Sequence, residues 1–445
     1  MGSLFGTDGV RGRANDVLTP ELALSLARAI AATLVPEGGR VIIGRDTRIS
    51  GPMLESALSA GLASSGIDVG LAGVIPTPAI SYLIKDERAD LGIVISASHN
   101  PPEDNGIKLF DREGMKLPEA LEDRIESALT TSCAPSQVIG RVATVEAAAK
   151  RYAAFISGTI DVDRIDFSGF RLVLDCAYGA TAAIAPHVFR HLGATVTAIH
   201  CEPDGTRINV ECGATHLEPL KAATRTHGAA LGIAFDGDGD RVLLVDSEGV
   251  VIDGDRMMGI AASYLAEHGL LSPSAIVATI LSNRGLELWL AERGIATHRT
   301  AVGDRYVSHR MMEEGIQIGG EASGHIIFSD HSPTGDGILT AVKLLEIALH
   351  RGVDLPTLAR EIPQFPQCAR NIPCPNPGRL VADARTDDLL KSAQAELGTQ
   401  GRVVLRPSGT QPLLRIMVET DDAERCASVA DRMEAQLIRL ASSFE

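Results

Sequence analysis

Short apolar segments alternate with helix-forming segments along most of the chain, and this alternation restricts the fold more than any other feature. In the first part, apolar strands are expected at residues 40–44, 67–71 and 91–95, with helix-forming segments between them. Strands that are separated by helices need crossover connections and form mostly parallel sheets. The pattern starts again near 170–174 and near 256–267, so several α/β units are expected to follow one another.

A linker-like segment at 131–141 and a cluster of five prolines at 363–377 interrupt this pattern. No short period repeats in the residues, which excludes solenoids and propellers. A length of 445 residues corresponds to roughly three or four domains. We expect an α/β protein in which three successive α/β domains with mixed, largely parallel sheets and a smaller α+β C-terminal domain surround a central cleft. The expected domain ranges are 1–150, 151–254, 255–366 and 367–445.

The composition excludes several classes of protein. Lys and Arg number 41 against 57 Asp and Glu, a net charge of −16 without an extended basic stripe, which disfavours nucleic-acid binding. No uncharged run has membrane-spanning length, and the N-terminus lacks a basic-then-apolar signal segment. The seven cysteines are odd in number and include no Cys-x-x-Cys pair, a pattern typical of reduced thiols. We therefore expect a cytoplasmic protein that binds neither nucleic acid nor a membrane.

The run Asp236-Gly-Asp238-Gly-Asp240-Arg241 follows an apolar strand directly. Three carboxylates at alternate positions can turn several oxygens toward one point, where a divalent cation relieves their repulsion. An EF-hand is excluded because Arg241 stands at loop position six, where that motif requires Gly. A solvated acidic turn is the alternative, and the apolar strand before the run favours a metal site over it.

A second run, Ser96-Ala-Ser98-His99-Asn100-Pro101, also follows an apolar strand, and Lys108 comes shortly after it. Ser98 is a candidate nucleophile, and Lys108 is a candidate general acid/base if burial or neighbouring cations depress its pKa. Taken alone, the run is more often a helix-capping turn, and His99 is more often structural than a base. The sequence contains no Gly-x-Ser-x-Gly nucleophile elbow.

A third run, at residues 406–412, lies between two expected strands and combines a guanidinium, hydroxyls and a glycine. Arg406, Ser408, Gly409 and Thr410, with Arg415 beyond them, are the groups that bind a phosphate dianion. A plain hairpin loop explains this run equally well when it is considered alone.

A fourth run, at residues 319–325, presents Glu321 and Ser323 between glycines, an arrangement that suits sugar hydroxyls. Glycine-rich loops with a glutamate are common, so this run is weak evidence alone. Arg11, in the run 6–12, and the run 44–48 place cations near the strand ends of the first domain. Ordinary surface ion pairs are the alternative for both of these runs.

Together and in this order, the four runs resemble the α-D-phosphohexomutase superfamily. The resemblance extends over essentially the whole chain, through the serine loop SASHNP, the metal loop DGDGDR, the sugar loop GEASGH and the phosphate loop RPSGTQP. Within that superfamily, the runs FGTDGVRG, GRDTRISG, CEPDGTRIN, AVGDRYV and TGDGILTA are similar to those of bacterial members that act on glucosamine phosphates.

The resemblance implies isomerisation of glucosamine 6-phosphate to glucosamine 1-phosphate, toward UDP-N-acetylglucosamine, through a phosphoserine enzyme and a sugar 1,6-bisphosphate. It makes Ser98 the phosphoserine and Lys108 the general acid/base, with Arg11 and His325 nearby. The implied metal ligands are the Ser98 phosphate, Asp236, Asp238 and Asp240. The implied substrate-binding residues are Arg241, Gly303, Asp304, Glu321, Ser323, Arg406, Ser408, Gly409, Thr410 and Arg415.

The resemblance also implies ligands and partners. The expected ligands are one Mg²⁺ per chain, a small sugar phosphate as substrate, and glucose or glucosamine 1,6-bisphosphate as activator or intermediate. A homodimer is suggested by the resemblance alone. A phosphomannomutase/phosphoglucomutase is the alternative enzyme, and a non-catalytic sugar-phosphate sensor is the alternative outside catalysis. The intact Ser98, Lys108 and aspartate triplet argue against the sensor.

The sequence departs from the family pattern in three features. Gln411 stands where Glu is common, and Tyr178 replaces the usual Asn in DCANGA. The segment Pro101-Pro102-Glu103 is an unusual end to the serine loop. Loss of the negative charge at Gln411 is not expected to abolish phosphate binding.

Overall fold

Four β-sheets, each with its own helices, follow one another along the chain. The computed structural model describes residues 4–6, 8–129, 136–161, 165–407 and 412–442. Within these residues the sheets contain six, five, four and three strands. The first three are mixed sheets with a parallel centre, and the fourth is antiparallel. The α/β class with a smaller last domain, expected from the alternating pattern, is therefore confirmed.

The first unit has the strand order β1-β5-β4-β2-β3-β6. The strand β4 (Leu91–Ile95) is buried along its whole length, as expected for a parallel strand covered by helices on both faces. The helix α1 (Pro20–Leu34) begins at the Thr19-Pro20 pair, where the Thr19 hydroxyl accepts a hydrogen bond from the Leu22 amide at 3.2 Å. The other elements are β1 (Val10–Arg13), β2 (Gly39–Arg45), α2 (Gly51–Ser64), β3 (Ile67–Val74), α3 (Thr77–Asp86), β5 (Asp104–Phe110), α4 (Glu119–Leu129) and β6 (Val142–Thr144).

The second unit has the strand order β11-β10-β9-β7-β8. Its helix α6 (Ala185–His191) begins only after a turn at residues 181–184. The reason lies in the backbone before it, where the Ala180 amide donates to the Gly237 carbonyl at 2.9 Å and so supports the metal loop instead of starting a helix. The other elements are α5 (Ala148–Ser157), β7 (Arg171–Asp175), β8 (Thr195–Ile199), α7 (Glu218–Thr226), β9 (Leu231–Phe235), β10 (Val242–Asp246) and β11 (Val251–Ile252).

The third unit has the strand order β13-β12-β14-β15. Four of its five helices start at side-chain caps, for example at Asn283, whose Oδ1 accepts from the Gly285 amide at 2.9 Å. Such a cap satisfies one of the free amides at a helix start. The elements are α8 (Gly254–Glu267), β12 (Ala275–Thr279), α9 (Arg284–Ala291), β13 (Ala296–Thr300), α10 (Asp304–Glu314), β14 (Ile318–Gly320), β15 (Ile326–Phe328), α11 (Gly337–Arg351) and α12 (Leu355–Arg360).

The fourth unit is a three-stranded antiparallel sheet with the order β16-β18-β17. Its buried side chains form a separate core, whereas one hydrophobic core runs continuously through the first three units. The elements are β16 (Gln367–Pro373), α13 (Pro377–Val381), α14 (Ala384–Leu397), β17 (Arg402–Pro407), β18 (Leu413–Glu419) and α15 (Ala423–Ser442). Among the described helices of the whole chain, none is both long enough and apolar enough to cross a membrane.

The first three units share one plan at the point where the expected site residues lie. In each, a strand in the parallel part of the sheet ends in a polar loop, and the chain returns as an antiparallel strand. The three strand pairs are β4 with β5, β9 with β10, and β14 with β15. Because ligands bind beyond the carboxyl ends of parallel strands, this plan places the serine, metal and sugar loops at equivalent positions in their units.

Candidate active site

Ser98 lies in the loop between β4 and β5, and its side chain contacts the second unit. The Ser98 hydroxyl donates a hydrogen bond of 2.6 Å to Oδ2 of Asp236, and it lies 3.3 Å from Nδ1 of His99. Ser98 is buried and its backbone φ is +52°, in the left-handed region. Few residues other than glycine and asparagine adopt this conformation without support from their surroundings. The serine loop is therefore held in one particular shape.

Arg48, which belongs to the run 44–48 already expected to place cations near the strand ends, supplies much of that support. Its guanidinium is fully buried, is paired with Asp46 at 2.9 Å, and donates to the carbonyls of Ser98 at 3.0 Å and Asn100 at 2.8 Å. It also donates to the carbonyls of Pro101 and Asp104. One arginine therefore fixes the whole serine loop, including the unusual Pro101-Pro102-Glu103 segment.

The three aspartates of the metal loop lie together between β9 and β10. Carboxylate oxygens of Asp236, Asp238 and Asp240 lie within 4.8 Å of one another, and all three residues are buried. Oδ1 of Asp238 and Oδ1 of Asp240 are buried without a hydrogen-bond donor among the described residues. Unpaired buried carboxylate oxygens are costly unless a cation binds them. The residues present therefore fit a metal ion.

The pKa shifts in the metal loop also indicate that a cation would stabilise it. Burial, with the neighbouring Asp240 and Asp238 carboxylates, raises the pKa of Asp236 well above its ordinary value. Burial also acts to raise the pKa of Asp240, but Lys108 and His325 outweigh it and hold that pKa well below the ordinary value. A bound divalent cation would remove the repulsion that acts on Asp236.

Lys108 is buried on β5, facing the metal loop. Its Nζ lies 2.8 Å from Oδ2 of Asp238, 3.3 Å from Oδ2 of Asp240 and 3.4 Å from Oδ2 of Asp8. Burial lowers the pKa of Lys108, but these three carboxylates outweigh burial and raise the pKa well above its ordinary value. The depressed pKa on which the general acid/base role of Lys108 was made conditional is not found here, because carboxylates rather than cations surround the ammonium group.

Two further residues of the cluster, Asp8 and Lys116, were not predicted. The Asp8 carboxylate is paired with Arg11, with Lys108 and with Lys116, and Lys116 is also paired with Asp304 at the start of α10. Asp8 belongs to a run already expected to lie near the strand ends, but nothing in the sequence indicates its partners. Lys116 therefore connects the first unit to the third.

The sugar loop lies between β14 and β15 and contacts the start of α10. Oε1 of Glu321 accepts a hydrogen bond from the Gly303 amide at 3.1 Å. His325 is buried, with Nδ1 at 3.8 Å from Oδ2 of Asp240 and Nε2 at 3.7 Å from Oδ2 of Asp304. Burial lowers the pKa of His325, but the Asp240 and Asp304 carboxylates outweigh it and raise the pKa above its ordinary value. Ser323 is exposed at the same loop.

Arg241 and His99 flank the metal loop. Nε of Arg241 lies 3.9 Å from Oδ1 of Asp240. Burial, with Arg241 and Arg11 nearby, lowers the pKa of His99 to about 4. His99 is therefore neutral at physiological pH, so it is a hydrogen-bonding partner of Ser98 rather than a cation.

The phosphate loop is described only at its two ends. Arg406 on β17 and Arg415 on β18 stand opposite each other in the antiparallel register. Neither has an ion pair with another described residue, and burial together with Arg415 lowers the pKa of Arg406. Two facing guanidinium groups without a counter-ion suit an anion. Ser408, Gly409, Thr410 and Gln411 lie outside the described residues.

The structure thus brings most of the predicted residues together. Ser98, Lys108, Arg11, the three aspartates, Arg241, Asp304 and His325 belong to one network of contacts, and Gly303 and Glu321 join it through the sugar loop. Among the described residues, no hydrogen bond or ion pair links Ser323, Arg406 or Arg415 to this network. Tyr178, the departure from Asn, has a φ of +53° and lies under the Arg207 guanidinium at 4.1 Å.

Comparison with protein families covers nearly the whole chain. The phosphoglucomutase/phosphomannomutase alpha/beta/alpha domains I, II and III match residues 2–134, 150–249 and 253–365. The C-terminal domain of the same family matches residues 370–436. The four matches follow the order of the four units.

Individual proteins are similar over the same extent. A phosphoglucosamine mutase of Carboxydothermus hydrogenoformans is 47% identical over 99% of this chain and 100% of its own length. A crystal structure of a phosphoglucomutase/phosphomannomutase family protein from Burkholderia thailandensis is 26% identical, with a TM-score of 0.85 over 99% of this chain and 98% of that one. The Aspergillus fumigatus N-acetylphosphoglucosamine mutase, solved with GlcNAc-6P and magnesium, is 17% identical over 98% of this chain and 95% of that one, with a TM-score of 0.68, and shares the fold. The chain therefore belongs to the phosphoglucomutase/phosphomannomutase family.

Proposed function

We propose that this chain catalyses the phosphoglucosamine mutase reaction, the interconversion of glucosamine 6-phosphate and glucosamine 1-phosphate. The observation that carries the proposal is the hydrogen bond of 2.6 Å between the Ser98 hydroxyl and Asp236, within a triplet of buried carboxylates. A serine at a cation-binding loop is the arrangement that phosphoryl transfer needs, because positioning and charge neutralisation account for most of its catalysis. The 47% identity to a phosphoglucosamine mutase supports the choice of sugar.

Ser98 carries the phosphoryl group between the two positions of the sugar. Phosphoserine 98 gives its phosphoryl group to the free sugar hydroxyl, so the bond from phosphorus to Oγ breaks and a 1,6-bisphosphate forms. The bisphosphate then turns around and returns its other phosphoryl group to Ser98. Asp236, Asp238 and Asp240 would hold one Mg²⁺ with the Ser98 phosphate, and this ion would neutralise charge on the transferring group.

Lys108 handles the proton that accompanies each transfer, because a cation held by the aspartate triplet would offset the carboxylates that raise its pKa. When the bond between the sugar oxygen and phosphorus breaks, the Lys108 ammonium group gives its proton to that oxygen. When the free sugar hydroxyl attacks phosphoserine 98, neutral Lys108 takes the proton of that hydroxyl, and the released Ser98 Oγ takes up a proton from solvent to become the hydroxyl that donates to Asp236. Arg11 and His325, which reach Lys108 through Asp8 and Asp240, orient these groups.

The rest of the substrate is held at a distance from Ser98. Glu321 and Ser323 bind the sugar hydroxyls, with Gly303 and Asp304 beside them and Arg241 at the metal loop. The phosphate that is not reacting binds to Arg406 and Arg415 together with Ser408, Gly409 and Thr410. Two phosphate sites are required because the bisphosphate reacts at one end and then at the other.

Several finer points belong to the same proposal. One Mg²⁺ per chain and glucose or glucosamine 1,6-bisphosphate as activator are expected from the family resemblance. The domain ranges 1–150, 151–254, 255–366 and 367–445, a homodimer and a cytoplasmic location stay predictions.

The test compares three substrates and one nucleophile variant. With Mg²⁺ and glucose 1,6-bisphosphate, the protein should show its highest kcat/KM with glucosamine 6-phosphate, compared with the 6-phosphates of glucose and mannose. Intact mass should show one phosphate per chain, which disappears together with turnover in Ser98→Ala. Ser56→Ala, at an exposed serine on α2, is the control. A preference for glucose or mannose phosphate would identify the alternative enzyme, and absence of turnover with all three would favour a sensor.

A further inference from the structure

Asn209 of the second unit contacts the backbone of the serine loop. Its Nδ2 donates to the Ser98 carbonyl at 2.8 Å and to the Asn100 carbonyl at 3.1 Å. Asn209 and Ser98 are separated by 111 residues in the chain. The contact is made by a side-chain amide from the same unit that carries the metal loop.

The two carbonyls that Asn209 binds are the two that Arg48 also binds. Nη2 of Arg48 donates to the Ser98 carbonyl at 3.0 Å and to the Asn100 carbonyl at 2.8 Å. Each carbonyl therefore has one donor from the first unit and one from the second. A serine in the left-handed region is strained, so its φ of +52° depends on contacts of this kind.

Asn209 itself is held firmly. Its φ is +62°, which asparagine tolerates better than most residues, and its amide donates to the Ala177 carbonyl at 3.1 Å. Asp175 at the end of β7 fixes both neighbouring loops, since its oxygens accept from the Ala177 and Gly213 amides, each at 3.0 Å. Both Asp175 oxygens are thus occupied by backbone amides.

Gly237 of the metal loop packs closely against the contact between Asn209 and the Ser98 carbonyl. A Cβ atom placed on Gly237, inside the metal loop, would lie 2.7 Å from the Ser98 carbonyl oxygen and 2.8 Å from Nδ2 of Asn209. The serine loop, the metal loop and Asn209 therefore meet without a gap. Asp236 lies on the same loop as Gly237. A shift of the Asn209 amide must therefore move the Ser98 peptide relative to Asp236.

We propose that Asn209 is a positioning residue for phosphoryl transfer. It ties the Ser98 peptide to the unit that carries Asp236, Asp238 and Asp240, and so sets the position of the Ser98 side chain against the metal loop. Arg48 shapes the serine loop within the first unit, whereas Asn209 fixes that loop to the second. The inference rests on the proposed function, because it assigns a role in transfer to and from Ser98.

The decisive variant is Asn209→Asp. Aspartate has the same size and also tolerates a left-handed backbone, but it presents an oxygen where the amide donated to two carbonyls. A displacement of about 1 Å at a reacting group can reduce a rate by about a hundredfold. We expect kcat with glucosamine 6-phosphate to fall by about 30-fold to 100-fold, and KM to stay within about twofold.

The matched control is Asn15→Asp. Asn15 also has a left-handed backbone, with φ of +61°, but it is exposed and lies in another part of the fold. It should keep wild-type kcat. Asn209→Asp and Asn15→Asp should have similar Tm values, which separates positioning from general loss of structure.

A second readout isolates the transfer step. Unphosphorylated protein is mixed once with excess glucose 1,6-bisphosphate, and intact mass follows the appearance of phosphoserine. Transfer in Asn209→Asp should slow by the same factor as kcat. A kcat within twofold of wild type would overturn the inference, and so would a loss explained by a higher KM or a lower Tm. Wild-type protein inert on all sugar phosphates would instead overturn the proposed function itself.

Discussion

Individual carboxylates in the site differ in the direction of their pKa shift because their neighbours differ. Asp236 is surrounded by other carboxylates, which together with burial raise its pKa. Burial also acts to raise the pKa of Asp8, but Lys108, Lys116 and Arg11 outweigh it and lower the pKa far below the ordinary value. Asp8 therefore remains ionised at every pH at which the protein is expected to work. It is the shared counter-ion of three cations.

This arrangement predicts the effect of Asp8→Asn. Removing one partner from a buried charge network leaves unpaired charges, which costs about 3–5 kcal/mol when burial is complete. The Asp8 side chain is 21% exposed, so we expect a loss of about 2–4 kcal/mol in the free energy of unfolding. Chemical denaturation at pH 7 measures it, with exposed Asp16→Asn as control.

The pH dependence gives the same prediction a second measurement. A carboxylate with a lowered pKa in the folded state stabilises the fold above its unfolded pKa, here 3.8, and this contribution is lost as pH falls toward the folded value. The difference between wild type and Asp8→Asn should therefore be constant from pH 5 to 7 and shrink below about pH 4. A difference that grows on acidification would contradict the pairing of Asp8 with the three cations.

How far the sequence predicts the site depends on the distance along the chain between partners. Ser98 and the aspartate triplet were predictable because each directly follows an apolar strand that ends at a ligand-binding edge. Lys116 was not, because its partners Asp8 and Asp304 lie 108 and 188 residues away. Arg48 and Asn209 are single polar residues in loops, and only the folded chain shows which carbonyls they bind.

At the level of the elements, the antiparallel return strands are what the alternating pattern did not predict. The strand β5 contains Lys108 and Asn105, so its residues do not form an apolar run, yet six of its seven positions are buried. Polar side chains were tolerated there because the neighbouring unit supplies their partners, as Asp238 does for Lys108. A pattern based on apolar runs cannot recognise a buried strand of this kind.

The start of α8 yields a prediction about an element. Burial, with Asp253 nearby, raises the pKa of Asp255 to about 7. Its Oδ2 accepts from the Asn283 amide at 2.7 Å, whereas its Oδ1 has no donor among the described residues. Asp255→Asn keeps the acceptor and removes the buried charge, so it should stabilise the protein at pH 8.

The sign of the pH dependence follows from linkage. Between the unfolded pKa of 3.8 and the folded pKa of about 7, the folded state holds the proton more tightly, so wild-type stability falls as pH rises through this range. At about 1.4 kcal/mol per pKa unit, the gain of Asp255→Asn over wild type should be larger at pH 8 than at pH 5 by about 3 kcal/mol. Exposed Asp330→Asn controls for loss of one charge. A gain that is equal at both pH values would show that Asp255 is not the titrating group.

At the level of the whole molecule, the site is assembled from separate units. Ser98 and Lys108 come from the first, the aspartate triplet from the second, and Asp304 and His325 from the third. The fourth unit has its own core and is joined to the third by Arg402, which donates to the Ile280 carbonyl at 2.8 Å. A fourth unit that moves to close on the substrate stays a prediction.

Metal removal tests the centre of this assembly. Because Asp238 and Asp240 each keep an unpaired oxygen, a cation should bind there without being needed for folding. Chelation with EDTA should reduce turnover to a few per cent or less and leave the circular dichroism spectrum unchanged, and Mg²⁺ should restore the rate. Full activity after thorough chelation would show that the triplet is only an acidic turn and not a catalytic metal site.

The first and third units are also joined outside the site, by α4 and α10. Nη2 of Arg305 lies 2.6 Å from Oε1 of Glu122, and each side chain is only 4% exposed. Beside this pair, the Tyr306 hydroxyl donates to Glu119 at 3.0 Å. Burial raises the pKa of Glu122 more than Arg305 lowers it. Desolvation of this ion pair therefore costs free energy, and the contribution of the pair is to join α4 to α10.

A double-mutant cycle measures this connection. Glu122→Leu or Arg305→Leu leaves one buried charge unpaired, and each should lower the free energy of unfolding by about 3 kcal/mol. The double variant should lose much less than the sum, since two leucines need no counter-charge, giving a coupling of about 2–3 kcal/mol. The exposed pair Asp387 and Lys391, at 59% and 72% exposure, should give less than about 0.5 kcal/mol in the same cycle.

The same variants should also change substrate binding. Because α10 begins beside Gly303, which donates to Glu321, both single variants should raise KM for glucosamine 6-phosphate, and the double variant should restore part of the wild-type KM. Additive losses in the buried pair, or an unchanged KM in the single variants, would show that α4 and α10 are held by packing and not by this ion pair.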